Sequence, residues 1–221
     1  MLFLSVLISM VGCSLNGQPL KGDYYFLVID GEVKKLSQRN DTLFEYKCYY
    51  NKPCLEIPSM QYKVLDIETK KNGTIFKLEQ LDASLSKTHP NRQYSILACR
   101  IIDSNRISVV QQLFGLNKQD ITSNFIDSFK TDKSFGFTYF SSNYYEKLKE
   151  LKSISTKEEV EEISALVRTE KYLKLIELYR ISHPPDIYAS GLQAELLNQA
   201  CIDKGYNPIG AGRVLNRLMS K

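Results

Sequence analysis

The chain has 221 residues, of which 43% are hydrophobic and 24% are charged, a composition typical of a folded globular protein. Its formal net charge is +4, and basic and acidic residues are interleaved along the chain. This charge is too small and too dispersed to favour nucleic acid as a partner. A chain of this length can form one large domain or two small ones. The composition therefore excludes general disorder and argues against a nucleic-acid-binding protein.

The first twelve residues, MLFLSVLISMVG, form an uncharged apolar segment that is followed by Cys13. This segment is too short to cross a bilayer core of about 30 Å as a helix, but its length is typical of the hydrophobic part of a signal peptide. Val11, Gly12 and Cys13 resemble the lipobox of bacterial lipoproteins. Met10 occupies a lipobox position where Leu is commoner, and no Lys or Arg precedes the apolar run.

The resemblance to lipoproteins implies cleavage before Cys13, a diacylglycerol group on its sulfur and an acylated new N-terminus. Residues 1–12 are then a signal peptide, and residues 13–22 are a lipidated tether. Ser14 stands where such lipoproteins carry Asp when they are retained in the inner membrane. The resemblance therefore implies a periplasm-facing protein that is anchored by lipid, in the outer membrane rather than the inner one.

Four further cysteines, Cys48, Cys54, Cys99 and Cys201, allow three pairings into two disulfides. An even number of cysteines in an exported protein favours disulfides. Cys48 and Cys54 flank a five-residue loop centred on Asn51, and a hairpin there would bring them within bonding distance. Cys99 would then pair with Cys201. A metal site is the less favoured alternative, because no His lies near the closely spaced cysteines.

Residues 23–114 are rich in β-branched and aromatic residues and contain several turn signals, notably Asn72-Gly73. Thr42–Tyr50 alternates and predicts a half-buried strand with Cys48 on its inward face. The predicted strands are 24–30, 32–36, 42–50, 61–68, 74–81, 94–103, 107–114 and 135–140. The pattern predicts an antiparallel β meander, either a sandwich or a barrel, within a β-rich domain of residues 23–140.

From residue 141 the apolar residues recur at helical spacing, after a short predicted helix at 121–130. Thr156 and Glu159 form a capping-box pattern, the period continues to His183-Pro184, and Gly205 ends a later helix. We therefore predict an α+β protein in which a helical region, residues 141–221, packs on the β-rich domain.

The sequence contains no catalytic motif of any strength, and we predict no catalytic residue, metal or cofactor. His89 and His183 each precede a proline, which favours exposed loops for both. Gly210–Arg213 superficially resembles an anion-binding helix start, but a packed helix start of small residues explains it better. Tyr49 falls on the face opposite Tyr50, so we predict that it is exposed near the disulfide loop as part of a protein-binding surface.

These observations favour a non-catalytic binding lipoprotein. The first hypothesis is an immunity or inhibitor protein that binds a toxin or an envelope enzyme. The second is a structural or assembly lipoprotein of an envelope complex such as a secretion system. The third is an envelope hydrolase, which would need a polar cleft with a perturbed carboxylate or histidine.

Overall fold

The structure is a computed structural model that describes residues 20–28, 31–49, 52–70, 73–81, 94–114, 136–182 and 189–219. Eight antiparallel strands form a closed barrel in which each strand pairs with the next and the last pairs with the first. The strands are β1 Asp23–Leu27, β2 Glu32–Arg39, β3 Thr42–Tyr49, β4 Met60–Lys70, β5 Gly73–Gln80, β6 Tyr94–Ile101, β7 Arg106–Phe114 and β8 Phe137–Ser141.

The barrel interior is filled by alternate residues from all eight strands, because successive side chains of a strand point to opposite faces. These residues form one buried cluster together with Leu20, which precedes β1, and Ala194 from a later helix. The buried members from the strands are Phe26, Leu36, Leu43, Tyr62, Phe76, Leu78, Leu97, Cys99, Ile107, Val109 and Tyr139. Side chains of this size make the interior a packed core.

Part of the outer barrel face is also buried. Val33, Tyr46 and Cys48 belong to a second cluster that includes Leu148 and Ile209 from the helical region. The alternation of side chains along β3 therefore does not separate a solvent-exposed face from a buried one. Cys48 is buried as predicted, at 3% exposure, but it faces the helices and not the barrel interior.

The C-terminal region contains five helices among the described residues: α1 Ser142–Glu150, α2 Lys157–Val167, α3 Glu170–Ser182, α4 Ala189–Asp203 and α5 Ala211–Met219. The predicted capping box is confirmed, since Thr156 accepts a hydrogen bond from the Glu159 backbone and the Glu159 side chain accepts one from the Thr156 backbone. Gly205 follows α4 with a φ of +77°, as expected for a helix-ending glycine.

Helix α4 connects the helical region to the barrel through hydrogen bonds and close packing. Glu195 accepts hydrogen bonds from Thr138 of β8, and Asn198 donates one to the Leu27 carbonyl at 2.8 Å. Gly191 lies against the Phe137 ring, where a Cβ would come within 2.8 Å of a ring carbon. These contacts hold α4 closely against β1 and β8.

The order of strands followed by helices confirms the predicted α+β class, and the closed barrel is more specific than the predicted sandwich or barrel. The predicted helix at 121–130 lies outside the described residues. Around the predicted Asn72-Gly73 turn, Lys70 of β4 pairs with Gly73 of β5.

The two ends of the barrel differ in what they carry. Leu20 packs at the end of the barrel where the odd-numbered strands begin and the even-numbered strands finish. We call this the Leu20 end. Strand β3 finishes and β4 begins at the opposite end, beside Cys48 and Cys54; we call this the disulfide end.

Candidate functional site

The most distinctive surface of the described residues is the segment that joins β3 to β4. Cys48 and Cys54 form a disulfide in this segment, which confirms the predicted local pairing. The Cα atoms of the two residues are 4.1 Å apart. The bond closes the chain on itself directly after β3, so the exit from this strand is covalently fixed.

Hydrogen bonds to β3 hold the segment in place beyond the disulfide. Leu55 donates its N–H to the Lys47 carbonyl at 3.3 Å. Ser59 donates both its N–H, at 2.8 Å, and its hydroxyl, at 2.9 Å, to the Glu45 carbonyl. Because β4 pairs with β3 only as far as Glu45, these bonds satisfy carbonyl groups that would otherwise lack a strand partner.

Three large apolar or aromatic side chains are exposed at the end of β3 and on this segment. Tyr49 is 39% exposed, Leu55 53% and Ile57 79%. We call Tyr49, Leu55 and Ile57 the disulfide-loop surface. Single exposed apolar residues are ordinary, but three within nine positions beside one disulfide are the kind of grouping that protein interfaces use.

Charged residues border this surface. The Lys47 ammonium lies 2.7 Å from a Glu32 carboxylate oxygen, and this hydrogen bond raises the pKa of Lys47 above its ordinary value. The same ammonium is 6.0 Å from the centre of the Tyr49 ring. Lys34 and Glu45 form a second, looser ion pair at 3.5 Å. An apolar centre with a polar rim is the arrangement found in protein–protein interfaces.

The predicted disulfide between Cys99 and Cys201 is wrong. Both residues carry free thiols and are buried, at 4% and 0% exposure. Cys99 lies in the barrel interior, whereas Cys201 lies in the core formed by α2, α3, α4 and α5. Burial raises the pKa of both thiols, that of Cys201 to about 12, so both are poor nucleophiles.

The Gly210–Arg213 segment begins α5 as the packing interpretation predicts. Ala211 is 3% exposed, and its N–H donates to the Pro208 carbonyl at 3.1 Å. A cavity of about 330 Å³ lies beside this helix start, lined by the segment together with Ser153, Ile154 and neighbouring residues. The N–H groups of Ala211 and Arg213 are already bonded to carbonyls within the chain, so these two donors are not free to hold an anion.

Glu195 is the described carboxylate that most resembles a perturbed catalytic acid. It is 4% exposed, and burial raises its pKa above the ordinary value. Both of its oxygens, however, accept hydrogen bonds from Thr138, at 3.0 Å and 2.6 Å. Both oxygens of this α4 carboxylate thus bind β8 in a buried position, which is the arrangement of a structural contact.

The predicted lipid-attachment residue Cys13 lies outside the described residues, and so do Ser14, His89 and His183. Among the described residues, no three His, Cys, Asp or Glu side chains are grouped so that they could hold a metal ion. The helices that the structure describes are each too short or too polar to cross a membrane.

Comparison of the chain with protein-family models, curated proteins and solved structures finds no match.

The sequence analysis predicted the exposure of Tyr49 but not that of Leu55 and Ile57. Both residues follow the second cysteine of the loop and alternate with the polar Glu56, within a segment bounded by two prolines. The sequence signal for their exposure was their place in a proline-bounded loop between two strands. Loops run over the protein surface, so apolar residues in them often lack a surface to pack against.

Proposed function

We propose that this protein is a lipid-anchored, periplasm-facing lipoprotein that acts by binding another protein through the disulfide-loop surface. The partner class is a toxin or an envelope enzyme, which the protein inhibits without catalysing a reaction. The observation that carries this proposal is the exposure of Leu55 and Ile57 directly after the Cys48–Cys54 disulfide.

Preorganisation supports a binding role for this surface. Ordering a mobile loop on binding costs conformational entropy, and a segment that is already held by a disulfide and by backbone bonds to β3 avoids much of that cost. Leu55 and Ile57 can therefore be buried by a partner with little reorganisation. Tyr49 adds an aromatic ring with a hydroxyl, the residue type that is enriched where interfaces concentrate their binding energy.

The bordering charges support selectivity for a charged partner. The Glu32–Lys47 and Lys34–Glu45 pairs place both signs beside the apolar side chains. Rim charges mainly set the rate of encounter and the choice of partner, and they add little to affinity. A surface of this kind suits an inhibitor that must recognise one protein among many.

The lipid anchor is proposed from the lipobox at residues 10–13. It is tested by adding a fatty-acid probe to producing cells that carry either the natural chain or Cys13→Ala. The natural chain should be labelled and the variant should not, whereas labelling that persists in the variant would refute the anchor.

The binding role is tested with the 14–221 fragment, immobilised and exposed to extracts and secreted fractions of its own cells. One stoichiometric partner should be captured. The double variant Leu55→Ser/Ile57→Ser should lose it, and Leu173→Ser should retain it. Leu173 is a matched control because it is a similarly exposed leucine, at 54%, on α3.

Two outcomes would contradict parts of the proposal. Capture of a large envelope complex in place of a single partner would favour a structural or assembly lipoprotein. Equal capture by the double variant and by the natural chain would exclude the disulfide-loop surface as the binding site.

A further inference from the structure

We propose that the Leu20 end of the barrel docks on the lipid surface through Ile101 and Ile102, so that the disulfide-loop surface points away from the membrane. This inference rests on the lipid anchor of the proposed function. It adds a second membrane contact, made by the folded domain itself, and it determines which end of the barrel meets a partner.

The tip of the β6–β7 hairpin carries the two isoleucines. Ile101 is 62% exposed and Ile102 is 45% exposed, although both are large aliphatic residues in consecutive positions. Such a pair at a hairpin tip forms a small apolar projection. Its burial in the acyl chains just below the headgroups would remove both side chains from water.

Hydrogen bonds hold the hairpin tip in shape. Ile102 donates its N–H to the Arg106 carbonyl at 3.0 Å. Asp103 accepts from the Asn105 backbone at 2.8 Å and forms an ion pair with Arg106 at 2.7 Å. The acidic side chain nearest the isoleucines is thus paired with a cation, which reduces its repulsion from an anionic bilayer.

The hairpin tip lies beside the start of the barrel, where the chain arrives from Cys13. Ser141 donates its N–H to the Asn105 carbonyl at 2.8 Å, and Ser141 also pairs with Tyr24 of β1. Leu20 packs in the same cluster as Ile107, which pairs with Ile101. The isoleucines and the entry of the chain are therefore at the same end of the barrel.

The length of chain between the anchor and the barrel limits how far this end can be from the bilayer. Leu20 follows Cys13 by seven positions, and a fully extended stretch of that length reaches at most about 25 Å. The opposite end lies roughly 20 Å farther, because the strands of eight residues are tilted in a barrel. In an anchored chain, Leu20 consequently stays within about 25 Å of the anchor, and the Ile101–Ile102 pair lies at the same end of the barrel.

A lipid surface fits these observations better than a protein partner. The tether keeps the pair at a high effective concentration against the bilayer, so even a weak apolar contact is populated. The disulfide-loop surface is at the other end, and this orientation leaves it accessible from the periplasm.

The experiment uses the absence of Trp from the natural sequence. Single-Trp chains 13–221 carrying Ile102→Trp, Ile101→Trp or Ile57→Trp are coupled through Cys13 to a maleimide lipid in phosphatidylethanolamine–phosphatidylglycerol vesicles. Vesicles with brominated acyl chains then report which Trp lies in the bilayer. Trp at 101 or 102 should show a blue shift and lose emission in the brominated vesicles, and Trp at 57 should show neither.

Unquenched emission at both 101 and 102 would overturn the proposal, and so would equal quenching at all three positions. A blue shift at 102 that grows with protein density without quenching would also overturn it, in favour of contact with a second copy of the chain. Chemical coupling makes this test independent of natural lipidation. Failure of the fatty-acid labelling in cells and failure of the vesicle docking are therefore distinguishable.

Discussion

The carboxylate of Glu195 takes the place of a strand neighbour for Thr138. The Thr138 N–H donates to one carboxylate oxygen at 3.0 Å, and its hydroxyl donates to the other at 2.6 Å. Both residues are buried, so water cannot replace these hydrogen bonds if the Glu195 carboxylate is removed. This contact gives α4 a polar attachment to the barrel in addition to its apolar packing.

Replacing Glu195 with Ala should destabilise the protein by about 1–3 kcal/mol, because a buried N–H and a buried hydroxyl lose their acceptor. Glu195→Gln is the matched control, since its amide oxygen still accepts one hydrogen bond in a side chain of the same length. Urea unfolding measures both. Equal stabilities of the Ala and Gln variants would show that the hydrogen bonds contribute nothing.

The pH dependence of stability should reflect the titration of the Glu195 carboxyl group. Burial raises the pKa of Glu195 above its ordinary value of 4.5, so the folded state binds the proton more tightly than the unfolded state does. The stabilisation from protonated Glu195 is complete below pH 4.5 and is lost as the pH rises through the raised pKa. Glu159, whose pKa is lowered to about 2, acts in the opposite direction at more acidic pH.

The free energy of unfolding is therefore expected to decline above pH 4.5 in the natural chain and to decline less in Glu195→Gln. Unfolding curves recorded in steps across this range give the comparison. Parallel pH profiles for the two chains would contradict the assignment.

Removal of the Cys48–Cys54 disulfide should reduce stability and binding together. A closed loop of this size contributes about 2 kcal/mol in the chain-entropy description. The double variant Cys48→Ser/Cys54→Ser should show this loss in urea unfolding and should bind the captured partner more weakly. An unchanged affinity would mean that the disulfide does not preorganise the disulfide-loop surface.

Thiol titration tests the correction to the predicted cysteine pairing. In the 14–221 fragment, Cys99 and Cys201 should be unreactive towards a thiol reagent in the native state, because both are buried and their pKa values are raised. Denaturation without reductant should expose two thiols, and denaturation with reductant followed by its removal should expose four. No free thiol in the denatured, unreduced chain would restore the Cys99–Cys201 disulfide.

The features that the sequence predicts correctly are local ones. The order of strands and helices follows from the period of apolar residues, and the Cys48–Cys54 bond follows from two cysteines on either side of one turn. Thr156 and Glu159 lie three residues apart, so their reciprocal hydrogen bonds are readable from spacing alone.

The features that sequence reasoning missed depend on distant parts of the chain. Counting cysteines cannot reveal that Cys99 and Cys201 belong to separate cores. Likewise, the alternation in β3 does not show that helices cover the outer face around Cys48. The exposure of Ile57 is also a tertiary property, since an apolar residue in a loop is buried or exposed according to what packs on it.

The pairing of β1 with β8 has a consequence for how the chain folds. Tyr25 pairs with Phe140, so the last seam of the barrel joins strands from opposite ends of the β region. Until residues 137–141 pair with it, β1 presents an unpaired edge that can recruit strands from other molecules. Contacts of such long sequence separation also slow folding. A chaperone that shields β1 during this interval should therefore raise the yield of folded protein, and truncation before Phe137 should produce aggregates.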